Sequence, residues 1–179
     1  MEAGVAIEVL DAADSRDARL AEQLADLINR VYAVAEEGLW VDRATRTNPD
    51  EVAELIAARE IAVARRGGEI VGSVRIRDVA DDAGEFGMLV ASPEVRGTGV
   101  GSALVEFVER RARDRGLRAM RLELLVPREW SHPTKEFLKA WYGRIGYEVV
   151  RTGSIEDGHP HLAALLATPC DMLVFEKSL

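Results

Sequence analysis

The feature that most constrains the fold of this chain is a glycine-rich segment between two apolar stretches. An apolar run at 86–90 is followed by Pro93-Glu94-Val95-Arg96-Gly97-Thr98-Gly99-Val100-Gly101-Ser102, and a helix-like pattern begins directly afterwards. A strand, a glycine-rich turn and a helix in this order leave the first N–H groups of the helix without partners. The helix dipole favours an anion at that end, and glycines let the anion approach the backbone. The segment therefore predicts a site for a phosphorylated ligand.

Two familiar phosphate-binding patterns fit this segment incompletely. A nucleoside-triphosphate loop needs Lys-Ser or Lys-Thr after its last glycine, whereas Gly101 is followed by Ser102 and Ala103. A dinucleotide fingerprint, Gly-x-Gly-x-x-Gly, needs a third glycine where Ser102 stands. Glu123 stands at the distance expected for a ribose-binding acid, so the spacing alone leaves the dinucleotide hypothesis open. An ordinary glycine-rich helix entry is a further alternative.

Composition places the chain among soluble globular proteins and excludes several kinds of site. The chain has 179 residues, 47% hydrophobic and 30% charged, and is expected to fold as one domain with a sizeable core. No apolar run is long enough to cross a bilayer, and no basic stretch followed by an apolar one opens the sequence. A cytoplasmic location without a membrane partner is therefore expected. The single Cys170 excludes an internal disulfide and a cysteine-rich zinc site, and we interpret it as a buried structural thiol.

The net charge and the positions of the histidines limit which ligands and which metal sites are expected. The net charge of −8 argues against nucleic acid, which usually needs a basic surface, and favours a cationic or neutral acceptor. The histidines are His132, His159 and His161. The pair around Pro160 cannot present two ligands on one helix face, and no acid stands at metal spacing, so no metal site is expected. Any of the three that lines the binding cleft is a candidate base near neutral pH.

The predicted elements follow the order β-α-α-β-β-β-α-β-α-β-(α)-β, which indicates a mixed α/β sheet with helices on both faces. The first long helix is expected at 16–36, capped by Asp14 or Ser15 and ended by Gly38. The predicted strands cover 5–10, 61–64, 70–76, 85–91, 117–126, 147–151 and 172–175. The further helices begin at 48, cover 99–115, begin at 133 and cover 160–167.

Two motifs resemble those of the GNAT family of N-acetyltransferases. Arg96-Gly97-Thr98-Gly99-Val100-Gly101 matches the family signature Arg/Gln-x-x-Gly-x-Gly/Ala, and Trp141-Tyr142-Gly143-Arg144-Ile145-Gly146-Tyr147 resembles its Phe/Leu-Tyr-x-x-x-Gly-Phe/Tyr segment. The order of predicted elements also resembles that fold. The resemblance implies a single GNAT domain over 1–179, with a mixed, mostly antiparallel central sheet and helices on both faces.

The resemblance implies acetyl-CoA as co-substrate, with the pyrophosphate on the glycine-rich loop and the pantetheine arm paired with the preceding strand. The residues implied for the co-substrate are Leu89, Val90, Ala91, Arg96, Gly97, Thr98, Gly99, Val100, Gly101, Ser102 and Lys135. Many relatives carry Asn where this chain has Lys135. A lysine can contact a phosphate but lacks the acceptor of a carboxamide.

The resemblance also implies direct attack of an amine on the thioester, without a covalent enzyme intermediate. Tyr142 matches the position that often protonates the sulfur of coenzyme A, although a purely packing role is the alternative. Glu85 and Glu123 are the candidate general bases. Each carboxylate could instead be a solvated surface group, and water could relay the proton.

Relatives build their acceptor site partly from the loop between the first two helices. That loop and the helix end before it offer Glu36, Glu37 and Trp40, which suit a cationic amine, while a solvated helix end is the alternative. The long connection 153–168 is expected to shape acceptor specificity or a homodimer contact. The expected activity is acetylation of a small-molecule primary amine. The alternatives are a non-catalytic acyl-CoA-binding regulatory module, a protein N-terminal or lysine acetyltransferase, and a dinucleotide-dependent oxidoreductase.

Overall fold

The computed structural model describes residues 4–80 and 82–179, so residues 1–3 and 81 of the expected domain lie outside the described part. Within it, seven strands form one sheet in the spatial order β1-β2-β3-β4-β5-β7-β6. The strands are β1 Ala6–Val9, β2 Ile61–Arg66, β3 Glu69–Ala80, β4 Ala83–Ala91, β5 Ala119–Pro127, β6 Glu148–Gly153 and β7 Cys170–Ser178. Neighbours pair antiparallel except β4 and β5, which run parallel. The predicted mixed, mostly antiparallel sheet is confirmed.

Helices cover both faces of the sheet, as predicted. They are α1 Ala18–Ala35, α2 Pro49–Ala57, α3 Val100–Asp114, α4 Pro133–Arg144, α5 Ile155–Gly158 and α6 Pro160–Ala163. One apolar cluster joins α1 and α2 to the sheet, and a second joins α3 and α4 to the opposite face. No helix among the described residues has the length and apolar character needed to cross a membrane.

Two helix boundaries differ from the prediction for local reasons. A 3₁₀ turn at Ala12–Arg16 precedes α1, so the cap is Asp17 rather than Asp14 or Ser15. The Asp17 carboxylate accepts the N–H groups of Arg19 and Leu20 at 3.1 and 3.2 Å. The helix expected at 160–167 is shorter, α6 at Pro160–Ala163, and a further short helix that was not predicted, α5, precedes it; Pro160 has no N–H group with which to continue α5.

Strand β4 carries a bulge that reverses which side chains face each helical layer. Its register with β3 moves from Ser73↔Val90 to Arg75↔Gly87, and Met88 has a φ of +49°. Phe86 therefore packs in the cluster beneath α3 and α4, whereas Met88 and Val90 pack beneath α1 and α2. The extra residue of a bulge bends the strand and increases its twist.

Strands β4 and β5 pair only over their first residues. Their parallel register covers Ala83↔Ala119, Gly84↔Met120 and Glu85↔Arg121, although β4 continues to Ala91 and β5 to Pro127. The facing edges of the remaining segments are therefore unpaired with each other. This split in the sheet leads directly from its paired end to the glycine-rich loop after β4.

Candidate active site

The glycine-rich loop presents backbone donors at the first turn of α3. Gly97 and Gly99 have φ values of +77° and +84°, which glycine adopts at little cost, and Gly99 is the N-terminal cap of α3. Among the described residues, none accepts a hydrogen bond from the N–H groups of Gly97 or of residues 99–102. This arrangement supports the predicted anion site.

Arg66 adds a cation to this loop that sequence reasoning missed. Its Nη2 donates to Thr98 Oγ1 at 3.1 Å, and its Nε is buried without a hydrogen-bond partner in the described part of the chain. Arg66 is the last residue of β2, and only the following Gly67-Gly68 marked that position in the sequence as a turn. The guanidinium is therefore available beside the loop for an anionic ligand.

A cavity of about 1110 Å³ reaches the split in the sheet. Residues 86–89 of β4 and 122–125 of β5 belong to its lining. Its rim is formed by the end of α1 with the loop that follows, and by the α5–α6 segment. These two rim segments hold each other, because Val41 N donates to Leu165 O at 2.8 Å and Ala167 N donates to Leu39 O at 2.8 Å.

Tyr142 lies on α4 and lines this cavity with its ring firmly packed. The ring centroids of Trp141, Phe175, Tyr147 and Phe86 lie 5.0, 5.8, 6.0 and 6.2 Å from its own. Burial, together with the nearby Tyr32, raises the pKa of Tyr142 above its ordinary value, so the phenol stays protonated at neutral pH. Its hydroxyl makes no hydrogen bond to any residue that the structure describes, which leaves its proton available.

The two candidate bases both line the cavity but have different partners. Arg77 donates to Glu85 Oε1 through Nε and Nη2, at 2.9 and 2.7 Å. Glu123 Oε2 lies 3.1 Å from His159 Nε2. The structure thus confines Glu85 in a guanidinium pair, whereas the partner of Glu123 is a titratable imidazole.

Residues 21–140 match the model of the Acetyltransferase (GNAT) family, about two thirds of the chain. The chain belongs to the GNAT family of acetyltransferases. It is 28% identical over 159 residues, or 88% of its length, to an amino-acid acetyltransferase of Pseudomonas fluorescens (strain Pf0-1). Those residues are 32% of that protein, so the chain spans about a third of the length of the curated relatives it first matches.

Solved structures share the fold of this GNAT chain. An aminoglycoside 6′-N-acetyltransferase complexed with coenzyme A has a TM-score of 0.71 and 17% identity, covering 97% of this chain and 96% of the other. An N-acetylglutamate synthase from Neisseria gonorrhoeae, complexed with coenzyme A and N-acetyl-glutamate, has a TM-score of 0.63 and 20% identity. That comparison covers all of this chain (100%) and 36% of the synthase.

A buried ion pair joins two side chains for which the sequence suggested separate roles. Lys135 Nζ lies 2.6 Å from Glu36 Oε2, and their side chains are only 4% and 7% exposed. Trp40 Nε1 donates to Glu36 Oε1 at 3.3 Å. Each of these two charges already has the other as its partner, whereas the sequence predicted that Lys135 contacts a phosphate and that Glu36 receives a cationic amine. Glu37 is exposed on the cavity rim.

Arg46 is a further cation on this rim. Its Cζ lies 5.3 Å from the ring centroid of Tyr32, a cation–π distance. Burial is the largest influence on Tyr32 and raises the pKa of its phenol, while Arg46 acts in the opposite direction. No carboxylate in the described residues forms a salt bridge with Arg46. Nothing in the local sequence pattern around Arg46 marks it as a site residue.

Cys170 is buried, as expected, in a small apolar cluster with Leu39, Leu125 and Ile155. Burial, with the nearby Glu36 carboxylate adding to it, raises the pKa of the Cys170 thiol to about 11. The thiol is therefore protonated at neutral pH, and a thiol is a much weaker nucleophile than a thiolate. Within residues 4–80 and 82–179, no group of three or more His, Cys, Asp or Glu side chains is arranged to hold a metal ion.

Proposed function

We propose that this GNAT chain transfers the acetyl group of acetyl-CoA to the primary amine of a small molecule by direct attack. The observation that carries the proposal is the split between β4 and β5, which connects the donor-rich loop at the end of β4 to the cavity. A thioester in this split would have the anion site on one side and space for an acceptor on the other.

The loop and its neighbours are suited to the co-substrate. The free N–H groups of Gly97 and of residues 99–102, with the guanidinium groups of Arg66 and Arg96, would bind the pyrophosphate. The unpaired edge of β4 at residues 89–91 would pair with the amides of the pantetheine arm, as one strand pairs with another. The edge of β4 available to that arm is the one that β5 leaves after the Glu85↔Arg121 position.

The chemistry asks for little beyond orientation and proton transfer, because a thioester is already activated. The amine attacks the thioester carbon, and the thiolate of coenzyme A leaves as the tetrahedral intermediate collapses. Tyr142 would protonate that sulfur, since its phenol holds its proton at neutral pH and has no competing hydrogen bond in the described part of the chain.

An amino acid is the acceptor that we propose first. The Pseudomonas fluorescens relative is named an amino-acid acetyltransferase. The cavity rim offers Arg46 without a carboxylate partner among the described residues, which suits the carboxylate of such an acceptor. Glu37 and Trp40 on the same rim keep the proposed role of contacting the amine or side chain of the acceptor.

The test is a panel of acceptors with acetyl-CoA, followed by coenzyme A release and by mass spectrometry of the acylated product. The panel contains the L-amino acids, their decarboxylated amines, polyamines and peptides with free N-termini. We expect release with one or more amino acids. Release with peptides alone would indicate a protein acetyltransferase. Stabilisation by acetyl-CoA without release from any acceptor would indicate a non-catalytic module, and stabilisation by NAD or NADP instead would indicate a dinucleotide-binding protein.

A further inference from the structure

The pair formed by Glu123 and His159 joins two elements at the wall of the cavity. Glu123 Oε2 and His159 Nε2 are 3.1 Å apart, with side chains 28% and 35% exposed. Glu123 lies on β5, two residues beyond the last position at which that strand pairs with β4. The pair is therefore beside the split where the proposed function places the thioester.

The backbone of His159 is held in place by the short helices on either side. Its N–H donates to Ile155 O at 2.7 Å, and its carbonyl accepts from Leu162 N at 2.9 Å. Ile155 is itself 1% exposed and packs against Leu39 and Leu125. The imidazole thus projects from an anchored turn rather than from a free loop end.

The chemistry of the two partners determines which atom carries the proton in this hydrogen bond. An ionised carboxylate can only accept, so the Nε2 atom of neutral His159 carries the hydrogen and donates it to Glu123. The lone pair of the neutral ring then lies on Nδ1. No described residue donates a hydrogen bond to that atom, which leaves it available to a substrate.

The pair lies on the opposite face of the sheet from Tyr142. Along β5, Leu122 and Leu124 pack in the cluster that contains Tyr142, whereas Leu125 packs against Leu39 on the other face. Side chains alternate along a strand, so Glu123 shares the face of Leu125. A thioester in the split would have the phenol on one side and the imidazole on the other.

We propose that His159 is the general base of the reaction and that Glu123 is its positioning residue; this rests on the proposed function. As the acceptor nitrogen forms its bond to the thioester carbon, its excess proton passes to Nδ1 of His159. The carbon–sulfur bond breaks, and the sulfur takes the proton of Tyr142. Glu123 stabilises the imidazolium until the imidazolium returns its proton to solvent, and the phenolate of Tyr142 takes a proton back from solvent.

Glu85 is a less suitable base on the same structure. Its Oε1 already accepts two N–H groups of Arg77. Glu85 also lies at the last position where β4 and β5 pair, whereas Glu123 lies beyond that position, beside the split. A neutral imidazole with a free nitrogen needs no such pair to break before it accepts a proton.

Bromoacetyl-CoA tests the placement of His159 without requiring an acceptor. Its CH₂ carbon lies next to the carbonyl, and attack by Nδ1 would expel bromide and leave a stable carbon–nitrogen bond. We expect peptide mass spectrometry to find this adduct on His159, and an excess of acetyl-CoA, which has no free thiol to consume the reagent, to suppress it. An adduct elsewhere, or none despite binding of the reagent, would overturn the assignment.

Kinetic variants test the role in proton transfer once the acceptor panel has supplied a substrate. We expect His159→Gln to lower kcat by about 10²-fold or more while leaving the Kd of acetyl-CoA unchanged. His161→Gln is the matched control, because its ring centroid lies 6.4 Å from that of His159 but it has no carboxylate partner among the described residues. Wild-type kcat in His159→Gln would overturn the proposal.

Two further measurements distinguish the positioning role of Glu123 from the catalytic role of His159. Glu123→Gln should lower kcat and slow labelling of His159, with the KM for acetyl-CoA unchanged; an unchanged kcat would remove Glu123 from the proposal.

The turnover rates of His159→Ala in the presence of substituted imidazoles should increase with the basicity of the added imidazole. Absence of that dependence would contradict proton transfer by His159. If no amine is acetylated, labelling of His159 still decides where the imidazole lies.

Discussion

A single hydroxyl separates the two roles considered for Tyr142. Tyr142→Phe keeps the ring and its contacts with Trp141, Phe175, Tyr147 and Phe86. We expect the variant to fold and bind acetyl-CoA normally but to turn over about 10²-fold more slowly, because the leaving sulfur loses its proton donor. Steady-state kinetics and calorimetric titration measure the two quantities. Turnover at the wild-type rate would leave Tyr142 with packing alone.

Arg46 provides a residue-level test of the acceptor. Arg46→Gln should raise the KM for an amino acid several-fold, corresponding to about 1 kcal/mol for an exposed charge pair. The KM for the decarboxylated amine of the same acceptor should stay unchanged, as should that for acetyl-CoA. Arg59→Gln is the control, because Arg59 pairs with Asp11 instead and is not a cavity residue. Equal effects on both acceptors would contradict a carboxylate contact.

At the scale of an element, the two ends of α3 allow a matched comparison. Gly99 and Gly116 have φ values of +84° and +77°, and a Cβ at either would meet no atom within 4 Å. Gly99→Glu places a carboxylate where the pyrophosphate is proposed to bind. Gly116→Glu imposes similar backbone strain, because of its positive φ, but at the C-terminal end of α3. We expect acetyl-CoA to raise the Tm of the second variant but not of the first. Equal stabilisation of both would remove the anion site from this loop.

The Glu36–Lys135 pair ties the end of α1 to the first turn of α4. Lys135→Met leaves the Glu36 carboxylate buried without its cation, which should lower the free energy of unfolding by about 3–5 kcal/mol. Replacing Glu36 by Gln as well should recover part of that loss. Denaturant titration measures both effects. Because the ammonium is already neutralised, the Kd of acetyl-CoA for the folded variant should stay unchanged; a large increase would restore Lys135 to the co-substrate site.

For the whole molecule, alkaline pH should weaken the fold partly through Cys170. The folded thiol has a pKa raised to about 11, whereas the pKa of an unfolded thiol is about 8.5. Below the unfolded pKa both states keep the proton. Above it the unfolded state releases the proton first, so the stability advantage is lost as pH rises towards 11. Unfolding free energies measured from pH 8 to 10 in reductant should therefore fall more steeply in the wild type than in Cys170→Ala. Parallel curves would contradict the shift.

The features that could be predicted from the sequence are those governed by short spacings. The glycine-rich loop and the segment around Tyr142 are contiguous motifs, and the order of strands and helices follows from local periodicity. Family membership and the fold class follow from these features. The sites implied for acetyl-CoA on that basis remain proposals, supported by the unpaired N–H groups of the loop.

Only the tertiary structure decided which distant side chains meet. Glu36 and Lys135 are 99 positions apart, Glu123 and His159 are 36 apart, and Arg66 and Thr98 are 32 apart. Each pairing depends on strand register or on how a short helix docks, and no local pattern encodes either. The bulge at Met88 shows the physical reason most clearly, since one extra residue in β4 exchanges the faces of the side chains that follow. The local sequence determined the loop that can hold an anion, while long-range packing decided which acids, bases and cations surround it.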